Sequence, residues 1–354
     1  MRKARILAII CTILGIILII TFATYQYQVS PVDKSSKADI EVIIENGMST
    51  DEIASLLEEK GLIRNSFFFK VYLRLNNVSS LKASTYLLQK SMSLAEIAST
   101  LETGSTYNPD AIRITFPEGQ RITHYATILE ENTNISAEAF LAKMKDQTYL
   151  QTLIANYWFL TEDILDSNIY YGLEGYLAPD TYEFASKDVT IEEVVSALLD
   201  QEAINLEPYK TALSTTNIHD TITLASIAEL EGVTAEDRKL IVGVFQNRLA
   251  QNMNLGSDVT TYYAFSEEMD QDLTSSMFNT YNPYNTRSAQ MAGQLPVGPI
   301  CNPSVESVEA SLYPTVSDNL YFVADKNGKI YYTKTRQEHE AKVEEIKEAG
   351  DWIW

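Results

Sequence analysis

From Ile6 to Ala23 the chain runs 18 residues with no charge and a single glycine, Gly15. Nothing else in the sequence restricts the fold so tightly, because a helix of that length and polarity is just able to cross the hydrocarbon core of a bilayer. Arg2, Lys3 and Arg5 precede the run, and Tyr25 and Tyr27 follow it. That order is expected for a cytoplasmic stub (residues 1–5), a transmembrane anchor (6–25) and an aromatic belt at the far interface. A cleaved signal peptide is the alternative, but the run is long for its apolar region and no A-x-A site follows. Either way the remaining chain is delivered outside the cytoplasm. Residues 26–39, ending in SPVDKSSKAD, are polar and read as a linker.

The full 354 residues allow an anchor plus two or three modest domains. A net charge of −21 argues against nucleic acid and an anionic membrane surface as binding partners. No glycine loop of the phosphate-cradling kind follows a strand, and neither CxxC nor HExxH spacing occurs, so no metal or cofactor is expected. Cys11 lies in the apolar run and Cys301 near the other end, which argues against a disulfide. His124, His219 and His339 read as surface or interface histidines, not ligands.

After the linker the chain repeats itself. ENGMSTDEIASLLEEKG (45–61) matches QKSMSLAEIASTLETGS (89–105), with Ser49 or Ser93 placed to cap a helix and Glu52 or Glu96 to complete a capping box. IEVIIE (40–45) and STYLLQ (84–89) precede the two helices as strands, so residues 40–106 are expected to form a small strand-helix module, either glycan-binding or scaffold. AIRITF followed by FPEGQRITHYATILEE repeats the idea loosely. Residues 107–350 read as a larger mixed domain, making the whole an α+β protein. Helices are expected at 136–144, 190–206, 221–231 and from Thr234 through Leu249. A hairpin is expected from NLYFVAD and KIYYTKT around Asn327-Gly328, then a terminal helix at 336–349. YYGLEGYLAPDTYEF (170–184), residues 256–264 and YNPYNTRSAQMAGQLPVGPICNPS (281–304) read as loops.

LASIAELEG (224–232) ends one of these helices with two carboxylates. At 3.6 residues per turn Leu224, Ile227, Ala228 and Glu231 share a face, while Glu229 falls nearly opposite and groups with Ala225. The two therefore do not form a simple pair. Glu231 lies on the apolar stripe, where partial desolvation raises its pKa and keeps a proton available. An exposed Glu229 would stay ionised, and a solvent-facing helix end remains an alternative for both. The three loops are rich in Tyr, Asn, Thr and Pro, which suit sugars: rings stack on pyranose faces, and amides and hydroxyls pair with sugar hydroxyls.

LASIAELEG with VFQNRL (244–249), LEGYLAPDTY (173–182), SDVTTYY (257–263), YNPYNT (281–286), LPVGPICNP (295–303) and YFVAD (321–325) together resemble the YceG-like (MltG) family of endolytic murein transglycosylases. The resemblance implies a LysM-like module before a catalytic domain, and cleavage of the bond between N-acetylmuramic acid and N-acetylglucosamine without water, leaving a 1,6-anhydro end. It places the catalytic acid on Glu231, the second glutamate of E-x-E. It also implies that Glu174, Glu229, Asn247, Arg248, Asp258, Thr260, Tyr284, Asn285, Thr286, Pro296, Gly298 and Asn302 contact or orient substrate. Leu230, Val259 and Ser304 stand where the family usually has Lys, Pro and Gly. The expected partners are peptidoglycan strands, with cell-wall synthesis or division proteins as further candidates.

Two other readings compete. Ser79-Ser80-Leu81-Lys82 fits SxxK, Ser317-Asp318-Asn319 fits SDN and Lys334-Thr335-Arg336 approximates KTG, the set of a penicillin-binding acyltransferase, although the third motif lacks its Gly. The other is a non-catalytic wall-binding scaffold.

Overall fold

The computed structural model describes residues 2–78, 80–105 and 107–352, with side chains from residue 9 onward. Ser79, the serine of the SxxK pattern, lies outside the described residues, as do Met1 and Thr106 at the ends of expected segments. Two compact units are present, Met1–Pro109 and Asp110–Trp354.

In the first unit α1 (Arg2–Val29) carries the apolar run. Its segment Ile9–Val29 has a mean hydropathy of 2.2 and is long and apolar enough to cross a membrane. Strand β1 (Asp39–Ile44) then pairs antiparallel with β2 (Ser84–Gln89), with Val42 opposite Tyr86 and Ile40 opposite Leu88. This register turns Val42, Ile44, Tyr86 and Leu88 to one buried face; a slip of one residue would turn all four to water. Helices α2 (Thr50–Glu59) and α4 (Leu94–Thr103) both start on the expected capping boxes, each satisfying two N-terminal donors and stabilising its helix by about 1 kcal/mol. Ile53, Ala54 and Leu57 of one and Ile97, Ala98 and Leu101 of the other close over the strands. Between the copies stands α3 (Ser66–Leu75), which the two-copy reading omits. Asn65 caps it through Phe67 N at 3.0 Å, and Phe69 and Leu73, one turn apart, are buried.

The second unit is built on two apolar clusters. In the larger, β3 (Ile112–Phe116) leads into α5 (Ile122–Asn132), α6 (Ala137–Lys143) and α7 (Gln147–Asn156). β4 (Asp180–Phe184) returns antiparallel to β3, with Thr115 and Thr181 hydroxyls 2.8 Å apart. The expectation of loop through 170–184 is therefore corrected at its end. Tyr182 and Phe184 fall on the inner side of this ribbon and pack on the cluster, which also takes in α8 (Ile191–Leu206). A short α9 (Lys210–Leu213) precedes α10 (Ile218–Glu231), a helix buried from Thr221 to Ala228. α10 ends at Gly232, where the turn into α11 (Ala235–Ala250) is so close that a Cβ would lie 2.6 Å from Arg238 Cγ. The smaller cluster joins α10 and α11 to α12 (Asp258–Ala264) and to the hairpin β5 (Tyr321–Ala324) and β6 (Ile330–Thr333). α12 corrects the second loop: Val259 to Ala264 are all buried, and packing overrides the weak helix propensity of a Val-Thr-Thr-Tyr-Tyr run. The short α13 (Ser275–Asn279), then α14 (Val305–Leu312), packed on α10 and α11, and α15 (Arg336–Glu348) complete the unit. His219 is buried, not at the surface, held by the Tyr176 hydroxyl at 2.8 Å and the Val297 carbonyl at 2.9 Å.

Two carboxyls lie in this interior away from the α10 terminus. Burial pushes Glu174 and Glu202 each up to about 8, against which Glu202 has a hydrogen bond from Asn205. Both values lie above that of the unfolded chain, so the stability tied to each proton is full below about pH 4.5 and is lost as pH rises toward 8. Glu202 makes unfolding free energy fall with pH between about 5 and 7.5, so Glu202→Gln is expected to make that slope less negative by about 1.4 kcal/mol per unit, the value for one proton. Urea unfolding of the detergent-solubilised chain across that range checks it; an unchanged slope would mean that Glu202 is ionised in the fold.

Candidate active site

Glu231 is the last residue of α10, where the helix emerges from the core into a cavity of about 980 Å3. Its Oε1 accepts a hydrogen bond of 2.5 Å from the Ser257 hydroxyl. Burial raises its pKa above the ordinary carboxylate value, the Ser257 bond draws it back, nearby Asp258 pushes up again, and Arg287 and Arg248 pull down. The result is a carboxyl at the cavity wall that holds its proton to higher pH than an exposed glutamate does.

Ser257 is fixed from behind. Thr286 Oγ1 accepts from Ser257 N at 3.1 Å and shares a 2.7 Å contact with Thr260 Oγ1, which in turn donates to Ser257 O at 2.7 Å. Thr260 and Thr286 are completely buried and face Ser257, not the cavity. The sequence motifs SDVTTYY and YNPYNT thus meet back to back, and their product is the direction of one serine hydroxyl. Asn285, also buried, accepts from Thr261 Oγ1 at 2.8 Å and donates to the carbonyls of Met277 and Thr280 at 2.8 and 2.7 Å, pinning the loop that carries Thr286.

Of the residues expected at the site, Glu231, Arg248 and Asp258 line this cavity together. Arg248 donates from Nε to Leu320 O at 2.6 Å and from Nη1 to Leu255 O, and its guanidinium lies 5.3 Å from the Tyr321 ring centre. Asp258 is paired with Arg287. Asn247 points the other way, donating to Ser317 O and Asn319 O at 2.7 and 2.9 Å and so anchoring the loop that leads into β5 at Tyr321. Tyr284 is buried in a cluster with Tyr170 and Tyr263, ring centres 4.8 Å away in each case. Tyr263 and Tyr284 are buried among these rings, whereas Tyr262, from the second of the expected sugar-contact loops, and Tyr321 line the cavity.

Glu174 is buried, accepting from Ile122 N at 2.8 Å and Tyr263 OH at 3.0 Å, and thereby caps α5 from a distant loop. Asn302 Oδ1 takes the N–H groups of Gly175 and Leu177 at 3.0 and 3.2 Å. Gly175 has φ +87°, and a Cβ there would lie 2.4 Å from Pro299, so LEGYLAP and LPVGPICNP lock together through a glycine that nothing larger replaces. Pro296 lines a different cavity of about 820 Å3, beside Glu162, Asp166 and Asp220, and Gly298 packs against His219 near it.

Glu229 is turned inward. Its side chain is 6% exposed, ion-paired with Arg238 at 2.9 Å and accepting from Ser304 N, Ser304 Oγ and Ser307 Oγ at 3.0, 2.6 and 2.6 Å. The opposition of the two glutamates read from helical periodicity is present, but the face expected to be exposed is packed against α14. Ser304, at a position where the resemblance implies Gly, supplies two of these bonds.

Sequence reasoning passed over Ser257 and Arg287. Each was visible as the residue opening SDVTTYY or following YNPYNT, yet nothing in residue type alone marks a serine as the partner of a carboxylate 26 positions away.

A model of the YceG-like family matches residues 42–345. An endolytic murein transglycosylase of Streptococcus pneumoniae serotype 2 is 36% identical over 344 residues, covering 91% of this chain and 61% of that protein. One from Bacillus subtilis is 35% identical over 312 residues, covering 87% of this chain and 85% of that protein. The crystal structure of a yceG-like protein from Listeria monocytogenes is 35% identical and aligns with a TM-score of 0.61, covering 87% of this chain and 100% of that one. The chain thus spans about three-fifths of the length of the streptococcal relative. With the family model running from the first strand to the last helix, and relatives at this identity over most of the sequence, the chain belongs to the YceG-like family.

Proposed function

We propose that this protein is a membrane-anchored lytic transglycosylase that cleaves peptidoglycan glycan strands internally, with Glu231 as its acid and then its base. The observation that carries the reading is a single carboxyl with a raised pKa at the wall of a large cavity, in a chain whose family relatives bear that activity in their names. Protonated Glu231 gives its proton to the glycosidic oxygen as that bond breaks. The 6-hydroxyl of the same muramic acid then bonds to the anomeric carbon and loses its proton to the Glu231 carboxylate, which restores the acid and closes the 1,6-anhydro ring. No water is consumed, so the second carboxylate of an ordinary glycosidase has no task here. The partnering of Asp258 with Arg287 agrees with this, since an ion-paired carboxylate is a poor nucleophile.

In this scheme Ser257 positions Glu231, and Thr260 and Thr286 position Ser257. Glu229, Glu174, Asn285 and Asn302 hold the walls. Arg248 and Asp258 remain as side chains open to the strand, the role the resemblance implies for them. The first unit would hold the enzyme near its substrate, α1 as a single span with its N-terminus in the cytoplasm and the strand-helix module of residues 40–106 as a LysM-like wall-binding element.

Ser257→Ala tests the positioning. The hydroxyl stabilises the ionised form of Glu231, so its removal raises the carboxyl's pKa further. Since the reaction begins from the protonated acid, activity falls as pH rises through that pKa, and the variant's alkaline limb is expected to move to higher pH. Its maximal rate is expected to fall about tenfold as the carboxyl loses its fixed direction. Release of anhydro-ended fragments from purified glycan, followed across pH, measures both. A merely structural serine would lower the rate without moving the limb.

A further inference from the structure

A second, smaller cavity of about 280 Å3 lies beside the one that holds Glu231, and Leu230 and Met269 line both. The α10 terminus explains the arrangement. Successive side chains on a helix project about 100° apart, so with Glu231 turned into the large cavity and Glu229 turned back into the protein, Leu230 points between them and forms the divide. The far wall of the small cavity is the start of α5, with Gln120, Thr123 and His124, closed on the other side by Glu268. Among the described residues the side chains of Gln120, His124 and Glu268 make no hydrogen bond within the protein. In the large cavity Arg248 and the Asp258–Arg287 pair also bond within the protein, while His339 Nδ1 is buried there without a partner among the described residues.

We propose that this small cavity is a sugar-binding site that takes one N-acetylhexosamine unit of the same strand, on the opposite side of Leu230 from the units held in the large cavity. Its volume, near the roughly 300 Å3 lower end of ligand pockets, suits a single ring. Leu230 and the unbranched, half-exposed Met269 give an apolar floor for the acetyl methyl or the pyranose face, and Gln120, His124 and Glu268 supply both donors and an acceptor for hydroxyl and amide groups. A strand lying across the divide brings a glycosidic bond to the lip where Glu231 stands, which is what cleavage inside a strand requires. The identity of the ligand rests on the transglycosylase reading; the two-cavity groove does not.

The test measures binding of glycan oligomers of defined length to the full chain in detergent carrying Glu231→Gln, with and without Gln120→Ala plus His124→Ala. These truncations leave the backbone bonds of Gln120 in place. The double substitution is expected to weaken an octasaccharide, long enough to reach across Leu230, about tenfold and a tetrasaccharide, short enough to bind on the Glu231 side alone, less than twofold. Equal weakening of both lengths, or of neither, would overturn the site. Product analysis with Glu231 restored separates the two claims. Length-selective loss without anhydro ends upholds the groove and removes the reaction; anhydro ends without length-selective loss do the reverse.

Discussion

Glu231→Gln is expected to lower the release of anhydro-ended glycan by about 10^2 to 10^4-fold, the range for removing a general acid, while leaving the fold intact. The amide keeps an oxygen where Oε1 now accepts from Ser257, so the positioned side chain and the network behind it persist. What disappears is the exchangeable proton, and with it both steps assigned to this residue. Stability is expected to hold or rise slightly above neutral pH, because the amide carries no charge that burial disfavours. Mass spectrometry of products from the purified full chain checks the reaction, and a melting curve checks the fold. Activity in the variant within a few-fold of wild type would end the assignment. Products heavier by one water would instead point to hydrolysis, with Asp258 as the second carboxylate.

How far such a site is legible in a sequence depends on what each residue's position encodes. Periodicity along α10 separates Glu231 from Glu229, because side chains two positions apart project about 200° apart, but a helix buried on every side from Thr221 to Ala228 has no single apolar face to say which of the two turns inward. Capping boxes at Ser49, Ser93, Thr190 and Thr234 announce four helix starts, since that chemistry is local to four residues. Strand β4 is not local: its partner β3 lies more than 60 positions earlier, and the tyrosines around it read as a loop until that partner is known. The same limit governs Thr260, Tyr284, Asn285, Thr286 and Asn302. Asn, Thr and Tyr serve equally well as sugar contacts or as buried hydrogen-bonding struts, and residue type does not say which way a side chain points. Here they point inward. Leu230 inverts the case. Its type suggests nothing beyond packing, and only the two cavities on either side of it give it a place in the groove.

The largest effect on stability is expected at the other glutamate. Glu229→Ala removes the carboxylate that pairs with Arg238, whose side chain is only 16% exposed, and leaves Ser304 N, Ser304 Oγ and Ser307 Oγ without their common acceptor. Arg238 Nε is already buried without a partner among the described residues, so the guanidinium has no ready substitute for Glu229. Breaking a largely buried pair by deleting one member costs about 3–5 kcal/mol, against the nearly zero expected for Glu231→Gln. The loss falls where α10, the start of α11 and the start of α14 meet, and these elements aim the α10 terminus. Glu229→Ala should therefore lower both stability and activity, and the activity should return in part as temperature is lowered. Glu229→Gln should sit between, since the amide oxygen still accepts from the serines while the charge on Arg238 goes unanswered. Chemical unfolding of the three variants beside wild type orders them; were Glu229→Ala as stable as Glu231→Gln, the inward glutamate would not be a structural tie, and a substrate-facing role for it would return.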